Sequence, residues 1–338
     1  MEILPYEDDS EAWDGFVREQ EGWTHFHLFG WKAVIEETFR HECPYLVAVD
    51  GGRISGVLPL VRVRSRLFGH YLVSMPFLNY GGPLGSSEAI QAIGDEAARL
   101  AEDSGADLLE LRGRHALDVA LPVSHRKVTV VRDLFPDPEQ LWGDLKGKVR
   151  SQIRRPMKEG IEVRFGEDQV RPFYRVFSRH MRHLGTPVLP ESLFTRAVQE
   201  FDDTMWIGCA YLGDRAIAGG CAFRWGDEIE MTWASSLREF NRMAPNMLLY
   251  WSFMERAARE GVRLFNFGRC TPDGPTHRFK RQWGGRDEPL WWYYRASGER
   301  ASTPSPEQSA YAWGPRLWRK LPLGLTRRLG PRIVRYIP

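Results

Sequence analysis

The sequence contains few cysteines and no long apolar run. Its four cysteines are scattered without a C-x-x-C pair, so neither a structural zinc site nor a disulfide framework is expected. No stretch of about 18 apolar residues occurs, and the N-terminus lacks the basic and apolar regions of a signal peptide. We therefore expect a cytoplasmic protein.

The net charge is small, +2, and common catalytic motifs are missing. Basic residues number 46 and acidic residues 44, so the overall charge predicts neither nucleic-acid nor membrane binding. The patterns HExxH, P-loop, GxGxxG and Gly-x-Ser-x-Gly are absent, which leaves metalloprotease, NTPase, dinucleotide-binding and serine-hydrolase functions without support. With 338 residues, the chain exceeds the usual size of a single core, and we expect two domains.

One order of predicted elements occurs twice along the chain. The first copy has strands at 45–49 and 54–63, a helix at 87–104 and a strand at 106–111. The second has strands at 206–212, 216–225 and 228–235, a helix at 244–260 and a strand at 262–267. Gly105 and Gly261 follow the two helices. The number of residues between these glycines equals the number between the two strands that come after them. Such an offset indicates a duplication of domain size.

Hairpin, strand, helix and strand in this order resemble the acetyltransferase (GNAT) core. Two copies in tandem resemble the FemAB-type acyltransferases over nearly the whole chain. The resemblance implies an α+β fold of two tandem GNAT-like domains, with mixed sheets flanked by helices. We predict an N-terminal domain at 1–130, a C-terminal domain at 131–296 and a basic, aromatic-rich tail at 297–338.

The end of the second copy carries a cationic cluster. A buried strand ends at Gly268 and Arg269, and the run Phe279, Lys280, Arg281, Gln282, Trp283 and Gly284 follows. These residues resemble the FemAB strand end, Gly-Arg step, loop and Phe-Lys-x-x-Trp/Phe-Gly run. The resemblance places Lys280 at the acyl acceptor or the reaction intermediate, with Phe279 beside it. We predict Lys280 and Arg269 as catalytic and Phe279 as substrate-binding.

Each of these assignments has an alternative. Lys280 would also suit a surface loop, and Arg269, which could hold a carboxylate or phosphate with two hydrogen bonds, would also suit a buried ion pair. A general base is not identified, since Glu228, Glu230 and Asp273 are candidates without a sequence signature.

The loop of Asn79, Tyr80 and Gly81 in the first copy resembles the Tyr-Gly-Gly element of FemAB first domains. The resemblance implies that the acceptor substrate docks there, and we predict these residues as substrate-binding. An ordinary turn between a strand and a helix would have a similar composition.

A basic helix is predicted between the two copies. Between Lys146 and Lys158 stand six basic residues and no acidic one. Arg150, Arg154 and Arg155 are candidate contacts to the phosphates of a nucleotide or tRNA. A solvated helix face is the alternative.

The acyl donor is suggested by a missing motif. Acetyl-CoA is normally held by a glycine-rich turn before the main helix of this fold. Residues 238–246 contain no glycine, and Pro245 supplies no N–H group. We therefore favour aminoacyl-tRNA as the donor, with an acyl thioester second, and expect no tightly bound cofactor and no metal. Asn246, at the start of this helix, is a candidate substrate contact.

The tail from 311 to 338 contains seven basic residues and no acidic one, interleaved with tryptophans and leucines. This pattern is typical of contact with an anionic membrane surface, so we expect a peripheral location on the inner face of the membrane. Packing on the second domain and RNA binding are the alternatives. The tail resembles those of FemAB-like proteins associated with exosortase and PEP-CTERM exopolysaccharide systems.

Together these patterns predict an acyltransferase. It would move an aminoacyl or acyl group to an amine of a small-molecule or lipid-linked precursor related to the cell envelope or to exopolysaccharide. One alternative is an N-acyltransferase dependent on acyl-CoA or acyl-carrier protein. Another is a non-catalytic, membrane-associated binding module of an envelope or exopolysaccharide assembly system.

Overall fold

The computed structural model describes residues 1–7, 9–297 and 314–337. Its strands are β1 (Glu2–Pro5), β2 (Leu46–Asp50), β3 (Arg53–Leu58), β4 (Leu60–Ser65), β5 (Gly69–Ser74), β6 (Leu84–Gly85), β7 (Leu108–Gly113), β8 (Val123–Ser124), β9 (Val128–Asp133), β10 (Ile161–Phe165), β11 (Met205–Leu212), β12 (Arg215–Trp225), β13 (Glu228–Ser236), β14 (Leu264–Cys270), β15 (Arg286–Pro289) and β16 (Trp291–Ala296). Its helices are α1 (Ser10–Glu19), α2 (Trp31–Phe39), α3 (Ser87–Asp103), α4 (Pro138–Asp144), α5 (Gly147–Lys158), α6 (Val170–Leu184), α7 (Glu191–Glu200), α8 (Pro245–Arg259), α9 (Pro275–Arg281), α10 (Gly314–Trp318) and α11 (Leu323–Val334).

The chain forms two compact units. The first comprises Met1–Lys127, the segment from Pro289 to residue 297, and the described residues from Arg332 onward. The second comprises Val128–Glu288 and residues 314–331. The second unit therefore starts three residues before the predicted boundary. Strand β16, which we had predicted to lie in the second domain, pairs with β7 of the first unit along its whole length.

The first unit contains one antiparallel sheet and one mixed sheet. Strands β1, β2, β3 and β6 form one sheet, and β4, β5, β7, β16 and β8 form the other. The single strand predicted at 54–63 is in fact two, because Pro59 between β3 and β4 has no N–H to donate to a ladder. Helix α3 buries small residues and Ile93 against the core of this unit.

The second unit is built on a seven-stranded sheet in the order β10-β11-β12-β13-β14-β9-β15. Helices α5 and α8 pack with its main apolar core, where Leu249, Phe253 and Phe265 are fully buried. Helices α6 and α7 supply a second aromatic group, in which Phe194 contacts the rings of Phe173 and Trp233. Ring contacts of this kind stabilise a core beyond the area that they bury.

Residues 314–331 of the C-terminal tail pack on the second unit. Trp318 of α10 is buried, Arg319 donates to the Leu184 carbonyl over 3.0 Å, and Arg182 donates to the Leu321 carbonyl over 3.2 Å. Tyr311 and Trp313, part of the predicted basic tail, lie outside the described residues. Among the residues that the structure does describe, no helix is both long enough and apolar enough to cross a membrane.

Candidate active site at the end of strand β14

Two parallel strands separate near the middle of the second sheet. Strands β13 and β14 pair only from Glu228 opposite Leu264 to Glu230 opposite Asn266. Beyond this point β13 continues along β12, whereas β14 continues along β9. The backbones of the two strands are therefore no longer hydrogen-bonded to each other at the edge where both of them end.

A bulge at Gly268 shapes the end of β14. Asn266 lies opposite Val131 and Arg269 opposite Thr129, so β14 has one more residue than β9 over this stretch. Gly268 adopts φ +73°, a left-handed conformation that glycine adopts without a Cβ clash. Its N–H donates to Asn266 Oδ1 over 2.8 Å. Gly268 thus forms the bulge.

Lys280 fastens helix α9 to this bulge. Its Nζ donates to the carbonyls of Gly268 and Arg269 over 2.6 and 3.0 Å, and the residue is only 5% exposed. Burial lowers the pKa of the Lys280 ammonium to about 8, because the charged form loses its hydration. The structure therefore rules out the alternative of a surface lysine on a loop.

A buried polar network lies directly before the bulge. Asn266 Nδ2 donates to Glu228 Oε1 over 2.8 Å, and Thr129 Oγ1 donates to Asn266 Oδ1 over 2.5 Å. Two residues beyond Glu228 on β13, the carboxylate of Glu230 is fully buried and accepts from Thr232 Oγ1 over 3.0 Å. Of the three candidate bases, Glu228 and Glu230 lie in this network, whereas Asp273 is exposed.

Helix α9 is held in place at several points. His277 Nδ1 accepts from the Asp273 N–H over 3.0 Å, which leaves Nε2–H to donate to the Asp287 carboxylate, also over 3.0 Å. The Phe279 ring packs against Tyr250 with a centroid distance of 5.1 Å and against Trp283 at 6.4 Å. Phe279 is thus a half-buried part of the core, and its predicted role in substrate binding is not evident from these contacts.

Of the other predicted residues of the second unit, only Arg269 contacts Lys280 in the hydrogen bonds described above, through its backbone carbonyl. Arg269 is half-exposed at the end of β14. Asn246 Nδ2 donates to Ser236 Oγ over 3.3 Å, while its buried Oδ1 has no hydrogen-bond partner among the described residues. On α5, Arg154 and Arg155 are exposed, and the Arg154 guanidinium lies 5.2 Å from the Trp142 ring. The Arg150 guanidinium already has a partner within the protein, since it donates to the Gly143 carbonyl over 2.9 Å.

The loop of Asn79, Tyr80 and Gly81 belongs to the first unit. The N–H groups of Gly81 and Gly82 donate to the Arg112 carbonyl over 3.1 and 2.9 Å. A Cβ at Gly81 would lie 2.4 Å from Met75 Cγ, so only glycine fits. Tyr80 is fully buried and packs against Phe26. The glycine supports close packing, and the Tyr80 side chain is a core residue.

Residues 144–281 match the acetyltransferase (GNAT) domain family. Over 140 residues the chain is 27% identical to the UDP-N-acetylmuramoylpentapeptide-lysine N(6)-alanyltransferase of Weissella viridescens. This match covers 40% of the present chain and 42% of that relative, so the chain spans less than half the length of the curated protein that it matches. The family match at 144–281 includes the separated strands β13 and β14, the bulge at Gly268 and helix α9.

The solved structure of FemX superimposes with a TM-score of 0.65 at 14% identity, covering 87% of this chain and 97% of that one. At this identity the match shows a common fold. A tandem GNAT protein from the clavulanic acid biosynthesis pathway superimposes with a TM-score of 0.50 at 14% identity, covering 89% and 99% of the two chains. The predicted fold of tandem GNAT-like domains, with mixed sheets flanked by helices, is confirmed.

Among the described residues, no group of three or more His, Cys, Asp or Glu side chains is placed to hold a metal ion.

Proposed function

We propose that the protein transfers an aminoacyl or other acyl group to an amine of a cell-envelope or exopolysaccharide-related precursor. The observation that carries this proposal is the position of Lys280. A buried ammonium is held by the carbonyls of Gly268 and Arg269, at the end of a strand that has separated from its parallel neighbour, within the region that matches the GNAT domain.

In the proposed reaction, the neutral amine of the acceptor attacks the acyl carbonyl and forms a C–N bond. The ester C–O bond of an aminoacyl-tRNA, or the C–S bond of a thioester, then breaks. The proton lost by the amine ends on the leaving oxygen or sulfur. A tetrahedral oxyanion forms on the way, and a fixed donor beside it lowers the barrier.

Lys280 is suited to be that donor. An ammonium has three N–H groups, and the two backbone carbonyls account for two of them. The third is the one that we propose stabilises the oxyanion. Arg269, half-exposed at the same strand end, would hold a carboxylate or phosphate of one substrate through its planar guanidinium.

Aminoacyl-tRNA is the donor that we favour, because the relative from Weissella viridescens is an alanyltransferase. Arg154 and Arg155 on the exposed face of α5 would contact its phosphates. An acyl thioester is the second candidate, because residues 144–281 match an acetyltransferase domain. The acceptor would be a small-molecule or lipid-linked amine. Asn246 at the start of α8, Phe279 of α9, and the Asn79, Tyr80 and Gly81 loop remain predicted substrate contacts.

Replacing Arg154 and Arg155 by Glu should weaken tRNA binding at least tenfold and make its dependence on salt shallower, because fewer counterions are released per complex. Filter binding across a range of salt concentrations measures both effects. The double variant Arg64→Glu/Arg66→Glu, which reverses two arginines of the first unit, is the charge-matched control. If the wild type does not retain tRNA, or accepts only acyl-CoA in a label-transfer assay, the tRNA donor is excluded.

The tail supplies a candidate membrane surface on the second unit. The side chains of Leu184, Leu317 and Leu325 are 49%, 52% and 41% exposed. Four exposed basic residues accompany them within 314–331: Arg316, Arg319, Lys320 and Arg328. Apolar side chains with surrounding positive charge suit an anionic bilayer surface, and we propose a peripheral location on the inner face of the membrane.

Replacing Leu317 and Leu325 together by Glu should reduce sedimentation of the protein with phosphatidylglycerol vesicles at least fivefold. The cause would be the loss of two apolar contacts and the addition of two negative charges. Leu67→Glu is the control, since Leu67 is 85% exposed in the first unit. A wild type that stays in the supernatant, or a control that loses as much binding, would contradict the membrane proposal.

A further inference from the structure

Helix α6 carries a line of arginines on its outer side. Arg171, Arg175 and Arg179 follow each other at intervals of four residues, so they lie above one another on the helix. Like charges at this spacing repel each other on an isolated helix. A negatively charged group from outside the helix would relieve the repulsion between these arginines.

A cavity of about 380 Å³ lies beside this line, within the second unit. Helix α6 contributes Arg175 and Arg179, the turn between β11 and β12 contributes Asp214 and Arg215, and α11 contributes Arg327. Four guanidinium groups thus line the cavity together with a single carboxylate. The volume lies within the range of about 300–1,000 Å³ that is usual for small-molecule sites.

The carboxylates nearby do not neutralise these arginines. Arg179 and Arg215 share one partner, Glu239, over 3.3 and 2.9 Å. Arg327 Nε donates to the neutral Ser178 hydroxyl over 2.9 Å, and its guanidinium lies 5.5 Å from the Tyr174 ring. Neither Arg175 nor Arg327 has a carboxylate partner in the ranges that the structure describes. Even with Glu239 counted, the four cations face two anions.

A larger cavity next to it has a different balance of charge. It has a volume of about 760 Å³, and it shares Arg175 and Arg327 with the smaller one. Arg171 also lines it, but so do Glu167, Asp168 and Glu191. Three cations meet three anions there. The excess of positive charge is therefore specific to the smaller cavity, and neither cavity includes Lys280 or Arg269.

We propose that the 380 Å³ cavity binds a phosphate group, at a site separate from the acyl-transfer site. Guanidinium groups match the oxygens of a phosphate in pairs and stay charged at every physiological pH. Because Arg327 and Leu323 come from α11, an occupied site would also fasten this C-terminal helix to α6. The phosphate is supplied either by a free phosphate compound or by a lipid headgroup.

The probe for the first source is inorganic pyrophosphate, titrated calorimetrically into the full-length protein. Arg175→Gln and Arg327→Gln should each weaken binding about tenfold or more, the usual effect of losing a hydrogen bond between charged groups. Arg242→Gln is the matched control, because Arg242 is an exposed arginine of the second unit, lies outside the tail and does not line the cavity. It should change the affinity less than twofold.

Arg175→Gln also separates binding from folding. Arg327 contacts Ser178 and Tyr174, so its replacement could lower the melting temperature, whereas the exposed Arg175 has no such contacts among the described residues. Arg175→Gln should therefore keep the melting temperature of the wild type without ligand and lose the increase that pyrophosphate gives.

The second source is tested with vesicles containing phosphatidic acid. If pyrophosphate does not bind, but vesicle binding falls about tenfold in Arg175→Gln and not in Arg242→Gln, the site takes a lipid headgroup. Binding of pyrophosphate that needs Arg175 and Arg327 assigns a free phosphate. The proposal is overturned if neither probe binds, or if Arg242→Gln weakens binding as much as Arg175→Gln.

Discussion

Lys280→Met is expected to lower the rate of acyl transfer about 100- to 1000-fold while the protein remains folded. The loss of one fixed donor at a developing oxyanion has an effect of this size. Methionine has a similar length and fills most of the space, so the change removes the charge without leaving a large cavity. Transfer of a labelled acyl group in a single turnover gives the rate, and circular dichroism reports the fold.

The dependence on pH gives this prediction a second readout. Burial lowers the pKa of Lys280 to about 8, so the ammonium predominates below pH 8 and is lost as the pH rises through that value. The transfer rate of the wild type should fall with it, and the small residual rate of Lys280→Met should not. Arg278→Gln, on the exposed side of α9, is the control. If Lys280→Met has a lower melting temperature but transfers the acyl group at the wild-type rate, the role of Lys280 is structural and not catalytic.

Asn266→Asp is expected to lower the free energy of unfolding by about 3–5 kcal/mol at pH 7, the usual cost of leaving a buried charge uncompensated. The substitution keeps the shape of the side chain, but it replaces the N–H donor to Glu228 with a second carboxylate oxygen. Two carboxylates would then face each other in a buried network. Urea denaturation followed by circular dichroism measures the change.

Thr129→Val provides the comparison for Asn266→Asp. It removes only the hydrogen bond from Thr129 Oγ1 to Asn266 Oδ1, and a loss of about 1 kcal/mol is expected. The penalty of Asn266→Asp should shrink at acidic pH, because a bound proton removes the repulsion between the carboxylates. Equal losses for the two variants at every pH would contradict the network as described.

The duplication was largely visible in the sequence, because it rests on long periodic segments. Helices α3 and α8 and strands β7 and β14 were predicted at a common offset, and the structure has them. Strand β5 was missed, although it runs parallel to β7 as β13 runs parallel to β14. It begins with Gly69 and His70 and follows β4 after a short turn, so it has little of the apolar alternation that identifies a strand.

The helix that carries Lys280 could not be predicted from hydrophobic periodicity. Helix α9 has only seven residues, and the two that it buries are His277 and Lys280. Both are polar, so their spacing of three gives no apolar pattern. The partners of Lys280 are backbone carbonyls of a bulge in β14, which is formed by pairing with β9 more than a hundred positions earlier. The sequence alone does not show this strand pairing, so it allows the lysine to be predicted as a site residue but does not reveal that it is buried.

Mass spectrometry of amine-containing envelope precursors, taken from cells that express the wild type or Lys280→Met at equal levels, tests the central claim most directly. The account predicts a precursor whose mass increases by one acyl or aminoacyl group only when the wild type is present. Identical precursors in both cultures, with the wild-type protein folded and abundant, would contradict it.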